Sequence, residues 1–134
     1  MNILGIDFGL SRIGLALADS ESKLPFPFEV LKVKGKPLWK VIDEIKKVCL
    51  KEDVEKIILG IPDGKISQDV RVLGRKLKEL LKLPLDYQDE SLTSKDALGR
   101  MITSGVKKKT RREREDAFAA ALILERYFER IDNV

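Results

Sequence analysis

The sequence predicts an α/β fold in which helices flank a mixed five-stranded sheet. Three apolar segments joined by short connections come first in the chain, and this pattern predicts three antiparallel strands. From residue 37 onward, amphipathic helical patterns alternate with short apolar runs, which predicts parallel βαβ units. The predicted element order is therefore β-β-β-α-β-α-β-α-α.

The three N-terminal strands are predicted over residues 2–8, 13–18 and 28–33. Apolar residues dominate each of them, and turn-forming residues separate them. Because right-handed crossovers return the later strands to the same sheet, we expect the first strand at the centre, with the later strands flanking it.

The remaining pattern alternates between helices and strands. Residues 54–61 contain a nearly continuous apolar run, as expected for a strand buried on both faces, and residues 83–89 predict a fifth strand. Helices are predicted over residues 37–49, 70–81, 94–103 and 114–131. Leu80 and Ile131 belong to the predicted inward stripes. We expect Trp39, near the start of the first helix, to be partly buried in the core rather than exposed as a nucleobase platform.

The composition limits the possible chemistry. A chain of 134 residues suits one domain over residues 1–134, and it has neither a bilayer-length apolar run nor a secretory pattern, so we expect a soluble, cytoplasmic protein. Histidine is absent and Cys49 is the only cysteine, which excludes a Ser-His-Asp triad, a histidine metal ligand and a cysteine-built zinc site. Catalysis must therefore depend on carboxylates, lysines, hydroxyls or a bound ion.

Three acidic residues are candidates for a catalytic site. Asp7 lies near the end of the first predicted strand, Glu90 follows the last strand, and Asp116 opens the last predicted helix. Each has a structural alternative, since Asp7 could support a turn and the other two could favour a helix N-terminus. Their combination favours a site, because the predicted topology brings two strand ends and one helix start to the same edge of the sheet.

Clustered carboxylates repel one another unless a cation neutralises them. An oxygen-only site suits Mg²⁺ or Mn²⁺, and two such ions could clamp the attacking and leaving oxygens of a phosphodiester. We therefore expect Asp7 to bridge two ions, Glu90 and Asp116 to complete their shells, and a water molecule to attack phosphorus.

Basic residues crowd the segment that precedes Asp116. They include Lys107, Lys108, Lys109, Arg111 and Arg112. The net charge is only +4, so the distribution of charge is more informative than its total. A solvated loop is the alternative, but the position beside the proposed site favours contact with nucleic-acid phosphates. Arg12, close to Asp7 in sequence, is a second candidate for phosphate contact, and a surface charge in a hairpin is its alternative.

Four motifs follow one another along nearly the whole chain. They are residues 7–16, Gly60-Ile61-Pro62 followed by Asp63-Gly64, Asp89-Glu90-Ser91-Leu92-Thr93 with Ala97, and Asp116-Ala117-Phe118-Ala119-Ala120 with Leu124. In these motifs the sequence resembles the YqgF-type family of the ribonuclease H superfamily, whose members are also described as Holliday junction resolvases. One departure is Ser91, where the family more often has arginine.

The resemblance implies a ribonuclease H-like fold and a carboxylate triad formed by Asp7, Glu90 and Asp116, which would hold a divalent metal. It also implies action on structured nucleic acid. The commonest role in the family is processing of the precursor of small-subunit ribosomal RNA.

We therefore predict a metal-dependent nuclease that processes the 5′ end of pre-16S ribosomal RNA in ribosome biogenesis. The alternatives are a Holliday junction resolvase acting on branched DNA and a non-catalytic RNA-binding assembly factor. A sugar kinase or actin-like ATPase is disfavoured, because such proteins enclose ATP between two domains. Resolving a junction requires two symmetric cuts and therefore a dimer, whereas the predicted apolar stripes can all be covered within one chain. We accordingly expect a monomer.

Overall fold

The computed structural model describes residues 1–90 and 108–132, with side chains described from residue 114 onward in the last helix. The strands and helices are β1 (Asn2–Phe8), β2 (Arg12–Asp19), β3 (Phe26–Lys32), α1 (Leu38–Lys51), β4 (Val54–Ile61), α2 (Ile66–Leu81), β5 (Leu85–Asp89) and α3 (Lys108–Asp132). The helix predicted over residues 94–103, together with Ser91 and Lys107, lies outside the described residues. No helix in the described ranges is both long and apolar enough to cross a bilayer.

The five strands form one mixed sheet in the order β3-β2-β1-β4-β5. The first three strands are antiparallel neighbours, whereas β4 pairs in parallel with both β1 and β5. The predicted fold class and the central position of β1 are therefore confirmed. Strands β1, β3, β4 and β5 all end at one edge of the sheet, where β2, α1 and α2 begin. We call this the carboxyl edge.

Alternate residues of β1 face opposite sides of the sheet, and both sides are covered. Leu4 and Ile6 belong to the larger core cluster, which contains the buried stripes of α1 and α2. Ile3 packs on the other side against buried residues of α3. Double coverage explains why β1 and β4 are nearly continuous apolar runs.

Helix α3 crosses the sheet at glycines on three neighbouring strands. A Cβ atom added to Gly14 of β2 would overlap the backbone carbonyl of Asp116. Added to Gly5 of β1, it would lie 2.9 Å from the carbonyl oxygen of Ala120. Added to Gly60 of β4, it would overlap the side chain of Ile123. These glycines and the alanines of α3 let helix and sheet approach closely, and the approach places Asp116 over β2.

The last helix begins earlier than predicted. It starts at Lys108 rather than near residue 114, so Lys108, Lys109, Arg111 and Arg112 lie in helical backbone and not in a preceding loop. Asp116 consequently lies more than two turns inside the helix instead of opening it. Lysine, arginine and glutamate are good helix formers, and no glycine or proline interrupts residues 106–116, which explains the extension.

Trp39 is exposed, contrary to the prediction of partial burial. Its relative exposure is 70%, whereas Ile45 of the same helix is fully buried. At 3.6 residues per turn, Trp39 points roughly 120° away from Ile45 around the helix axis, outside the apolar stripe. Leu80 and Ile131, which were predicted in the inward stripes, are also exposed. At the end of α2 it is Leu81, and not Leu80, that packs against the core.

Candidate active site

Asp7 occupies the second-to-last position of β1, opposite Gly14 of β2. It is the only charged side chain that is buried among the described residues, with 9% exposure. An ionised carboxylate in such a place is costly unless a proton or a cation neutralises it. Burial therefore disfavours the ionised form of Asp7 unless a proton or a cation neutralises it.

Asp7 shares a side-chain hydrogen bond with Glu90. Burial, and then the charge of Glu90, raises the pKa of Asp7 from 3.8 to about 9. Burial also raises the pKa of Glu90, while the hydrogen bond to Asp7 opposes this shift. At neutral pH, Asp7 thus holds the proton and donates it to the Glu90 carboxylate. The pair is a proton-sharing carboxylate dyad that joins the ends of β1 and β5.

Glu90 is fixed in place by its backbone and by a glycine. Its amide nitrogen donates a hydrogen bond to the Ile61 carbonyl at 3.1 Å, which ties the residue to the end of β4. A Cβ atom added to Gly60 would lie 2.5 Å from Glu90 Oε2. That oxygen is buried without a hydrogen-bond partner. A buried, unpartnered carboxylate oxygen next to a second carboxylate is a fitting ligand for a hard divalent cation.

Asp116 forms an ion pair with Arg12 across the carboxyl edge. The Arg12 Nε to Asp116 Oδ2 distance is 2.9 Å. Burial raises the pKa of Asp116, and the guanidinium of Arg12 opposes this rise. Half of the Arg12 side chain is exposed, so the pair contributes little to stability. Its main consequence is that Arg12, predicted as a phosphate contact, lies directly beside a proposed site residue.

The three predicted acids therefore lie at one end of the sheet, but they differ in their interactions. Asp7 and Glu90 share a proton, whereas Asp116 acts on Asp7 only through its charge. Across the ranges that the structure describes, no three acidic or cysteine side chains are gathered tightly enough to enclose an ion in this arrangement. Two acids meet here, and the third is paired with Arg12.

Sequence reasoning missed two residues that act on the dyad. The charge of Glu115 raises the pKa of Asp7, and the charge of Asp89 raises that of Glu90. Both are sequence neighbours of predicted site residues. The adjacent acids in Asp89-Glu90 and Glu115-Asp116 could therefore have indicated them. Three acids act on Asp7 and a fourth acts on Glu90, which makes this edge strongly attractive to cations.

Four of the five predicted basic residues before Asp116 lie in helix α3, and the fifth, Lys107, lies outside the described residues. Helix α3 begins at Lys108 and has no acidic residue in its first turn. Its basic N-terminal part leads along the same helix to Asp116. The distance in sequence between Arg112 and Asp116 is one helical turn, which puts this basic part at the end of the sheet where the acids lie.

Comparison with known proteins identifies the family. A family model described as "RuvX: Holliday junction resolvase" matches residues 1–130. Two curated relatives, from Syntrophomonas wolfei and Mycoplasma genitalium, are provisionally named as pre-16S rRNA nucleases. The first is 34% identical and covers 96% of this chain and 94% of its own length. The second is 36% identical and covers 95% of this chain and 96% of its own length.

Solved structures show the same fold at lower identity. Thermus thermophilus RuvC in complex with a Holliday junction substrate has a TM-score of 0.62 at 16% identity, covering 98% of this chain and 96% of its own. The fowlpox virus resolvase, solved with Holliday junction DNA, has a TM-score of 0.64 at 13% identity, with 98% and 99% covered. The ribonuclease H-like fold and the family resemblance predicted from the motifs are thus confirmed. This chain belongs to the RuvX family, and it is a nuclease, a hydrolase of phosphodiester bonds.

Proposed function

We propose that this protein is a divalent-metal-dependent nuclease that processes the 5′ end of pre-16S ribosomal RNA, with Asp7, Glu90 and Asp116 as its catalytic carboxylates. The observation that carries the proposal is the buried dyad of Asp7 and Glu90, in which one oxygen of Glu90 has no partner. A stable core does not need two acids forced together away from water. Such an arrangement is explained by a ligand that neutralises both.

The chemistry would be hydrolysis, in which a water oxygen bonds to phosphorus, the bond from phosphorus to one ester oxygen breaks, and that oxygen takes up a proton. A divalent cation, when bound, would neutralise the clustered carboxylates and lower the pKa of water at the site. Asp7 must first release the proton that it shares with Glu90, so that both side chains can act as oxygen ligands. Asp116 must in turn exchange its ion pair with Arg12 for the same role.

The basic residues would supply the substrate contacts. Arg12 lies beside Asp116, so once released from that pair its guanidinium can contact a phosphate next to the scissile bond. Lys107, Lys108, Lys109, Arg111 and Arg112 form the second group of proposed phosphate contacts. Contacts to phosphates position a strand without selecting its sequence.

Ribosomal RNA is favoured over branched DNA by the curated relatives, which share about a third of this sequence over nearly its full length and carry the rRNA nuclease name. The second candidate, junction resolution, is favoured by the description of the family model. Trimming one RNA end requires a single active site, whereas resolution requires two. A cytoplasmic monomer with structured RNA as its partner is therefore our proposal.

The test is cleavage of matched substrates by the purified protein and by Asp7→Asn. With Mg²⁺ or Mn²⁺, the parent should cleave precursor RNA and leave a four-way DNA junction intact, and chelation should abolish cleavage. Asp7→Asn should lose activity by about 100-fold or more, the loss typical when one preorganised electrostatic group is removed. It should still fold, because asparagine resembles the protonated form of Asp7.

Glu79→Gln is a matched control, since it removes one exposed carboxylate near the C-terminal end of α2, at the opposite edge of the sheet from the site. It should cleave like the parent. Full activity of Asp7→Asn would refute the site, and symmetric nicking of the junction with intact RNA would establish the resolvase alternative. Tight RNA binding without cleavage under any metal condition would instead indicate a non-catalytic assembly factor.

A further inference from the structure

Trp39 is the only tryptophan of the chain, and α1 presents it to solvent at the carboxyl edge. Large aromatic side chains usually contribute to a core or an interface, because each can remove a large apolar area from water. A 70% exposed tryptophan at the edge that carries the proposed site therefore suggests that a ligand covers it.

Backbone hydrogen bonds join the turn after Asp7 to the connection that leads to α1. The Ser11 carbonyl accepts hydrogen bonds from the amides of Val33 at 2.9 Å and Lys34 at 3.3 Å. Ser11 is flanked by Arg12, which pairs with Asp116, and by Leu10, which is 68% exposed. The segment that leads to Trp39 is thus anchored to the same hairpin as the proposed site.

Two lysines that are unpaired within the described part of the chain are close to Trp39 in sequence, and the acids near it are paired. Lys34 and Lys40 are both exposed, whereas Lys36 is held by Glu44 at 2.8 Å. Asp43, one turn after Trp39 on α1, is paired with Lys47 at 3.2 Å. We call Leu10, Lys34, Trp39 and Lys40 the Trp39 surface. An apolar and aromatic surface bordered by lysines has the composition expected for binding a nucleic-acid strand through its bases and phosphates.

The Trp39 surface and the proposed carboxylate site lie on opposite sides of the sheet, at the same edge. Asp7 and Glu90 are on the side covered by α3, because they lie next to the glycines of that contact. Helix α1 covers the other side. The turn that contains Leu10 and Arg12 lies at this edge, and the Ser11 carbonyl joins it to the segment that leads to α1.

We propose that the Trp39 surface binds an unpaired segment of single-stranded RNA adjacent to the scissile phosphate, with the indole of Trp39 stacked on a base and with Lys34 and Lys40 contacting phosphates. This inference rests on the proposed nuclease function and adds a subsite to it. Stacking tolerates any base, so the subsite selects unpaired over paired nucleotides rather than a particular sequence.

The experiment uses the intrinsic fluorescence of Trp39 in the full chain. A short single-stranded RNA is titrated in EDTA, which prevents metal-dependent cleavage, and both fluorescence and the anisotropy of a labelled RNA are recorded. We expect fluorescence quenching that saturates together with anisotropy. A fully paired duplex of the same sequence should give little quenching, since its base faces are already stacked.

Variants separate stacking from charge. Trp39→Ala should weaken single-stranded RNA binding by about 5-fold to 150-fold, the range for loss of one stacked base, and Trp39→Phe should retain most of the affinity. Lys34→Gln with Lys40→Gln should reduce the slope of log affinity against log salt by about 0.7 for each lost contact. Leu50→Ala is the matched control, because Leu50 is 74% exposed at the opposite end of α1 and should have no effect.

The outcomes are distinguishable from failure of the nuclease proposal. RNA binding by the parent without quenching, together with normal affinity of Trp39→Ala, overturns the subsite and leaves the nuclease proposal intact. A change in the sedimentation of the free protein on Trp39→Ala, at unchanged RNA affinity, reassigns the residue to a protein contact and also overturns the subsite. Absence of any RNA binding in EDTA overturns the subsite, and the cleavage test with Mg²⁺ or Mn²⁺ then decides the nuclease proposal separately.

Discussion

Asp7 is a residue whose position lowers the stability of the fold. It follows the buried residues of β1 and shares a hydrogen bond with Glu90. Most buried acids are paired with a base, but Asp7 has acidic neighbours that all raise its pKa. In the metal-free protein a proton neutralises the Asp7 carboxyl, and a bound divalent cation would replace that proton.

The proton on Asp7 predicts a pH dependence of stability. In the unfolded chain this carboxyl releases its proton above about pH 4, whereas in the folded protein it retains the proton up to about pH 9. Folding therefore takes up a proton between these values, and the free energy of unfolding falls as pH rises through this window. In EDTA, Asp7→Asn should remove this contribution, so that the difference in stability between variant and parent grows with pH. Urea unfolding at a series of pH values measures it.

Asp19→Asn provides a control of opposite sign. Backbone amides of Ser22 and Glu21 donate to the Asp19 carboxylate and lower its pKa. Its stabilising effect is present above the unfolded pKa and is lost as pH falls, so this variant should be less stable than the parent at neutral pH. An Asp7→Asn variant whose stability parallels that of the parent at every pH would contradict the buried, protonated state.

Among the elements, α3 contributes most to the site. It carries Asp116, and it approaches the sheet closely enough that its backbone lies over Gly14. Its first turns are basic although a helix N-terminus favours negative charge. A local arrangement that opposes the helix dipole is expected where the charges serve a phosphate ligand.

Gly14→Ala tests the close approach of α3. The added methyl group would overlap the carbonyl of Asp116, so the helix must shift, at a cost of about 1–3 kcal/mol. The shift should separate Asp116 from Arg12 and lower cleavage more than the stability loss explains. Thermal unfolding and initial rates below the melting range measure the two effects.

Gly35→Ala is the comparison variant. Gly35 has a φ of 79° and no atom within 4 Å of an added Cβ, so only backbone strain of about 1 kcal/mol is expected. Equal losses of activity in both variants would show that the Gly14 contact does not position the site.

The three consecutive lysines at residues 107–109 give a prediction about salt dependence. Neutralising Lys107, Lys108 and Lys109 together should weaken binding to many sequences alike. The slope of log affinity against log salt should shrink by about 0.9 for each lost phosphate contact on a duplex, and by about 0.7 on single strands. Titrations between low and moderate salt measure it, and an unchanged slope would mean that these lysines are merely solvated.

At the scale of the whole molecule, the larger hydrophobic core and the proposed site lie on opposite sides of the sheet. The larger core cluster lies between the sheet and helices α1 and α2. The other side, under α3, contains the smaller cluster and the proposed site. Stability thus depends mainly on one side, which allows the other side to hold unfavourable charges.

We predict that the protein is predominantly monomeric at micromolar concentration. In the described part of the chain, the exposed large apolar residues belong to several different elements, including Met1, Leu24 and Trp39. Leu50 and Leu80 are the exception, because both line one pocket between the C-terminal ends of α1 and α2. Analytical ultracentrifugation over a concentration series tests this, with Leu80→Ala as a check on the C-terminal end of α2. A tight dimer would favour the resolvase alternative, since two sites would then be available.

Much of the fold followed from the sequence alone. The change from short, closely connected strands to alternating helices and strands predicted the mixed sheet and the central β1, because period and connection length are local properties. The position of Asp7 after an apolar run and that of Glu90 after the last strand predicted that both acids would lie at one sheet edge. The order of four motifs identified the family. Each of these inferences needed only spacing along the chain.

Tertiary structure decided how those residues are used. The hydrogen bond between Asp7 and Glu90 and the pairing of Arg12 with Asp116 depend on distances between elements far apart in sequence. No periodicity encodes which of several charges meets a given acid. These contacts follow from the pairing of the strand ends and from the approach of α3 to three glycines, which are properties of packing rather than of pattern.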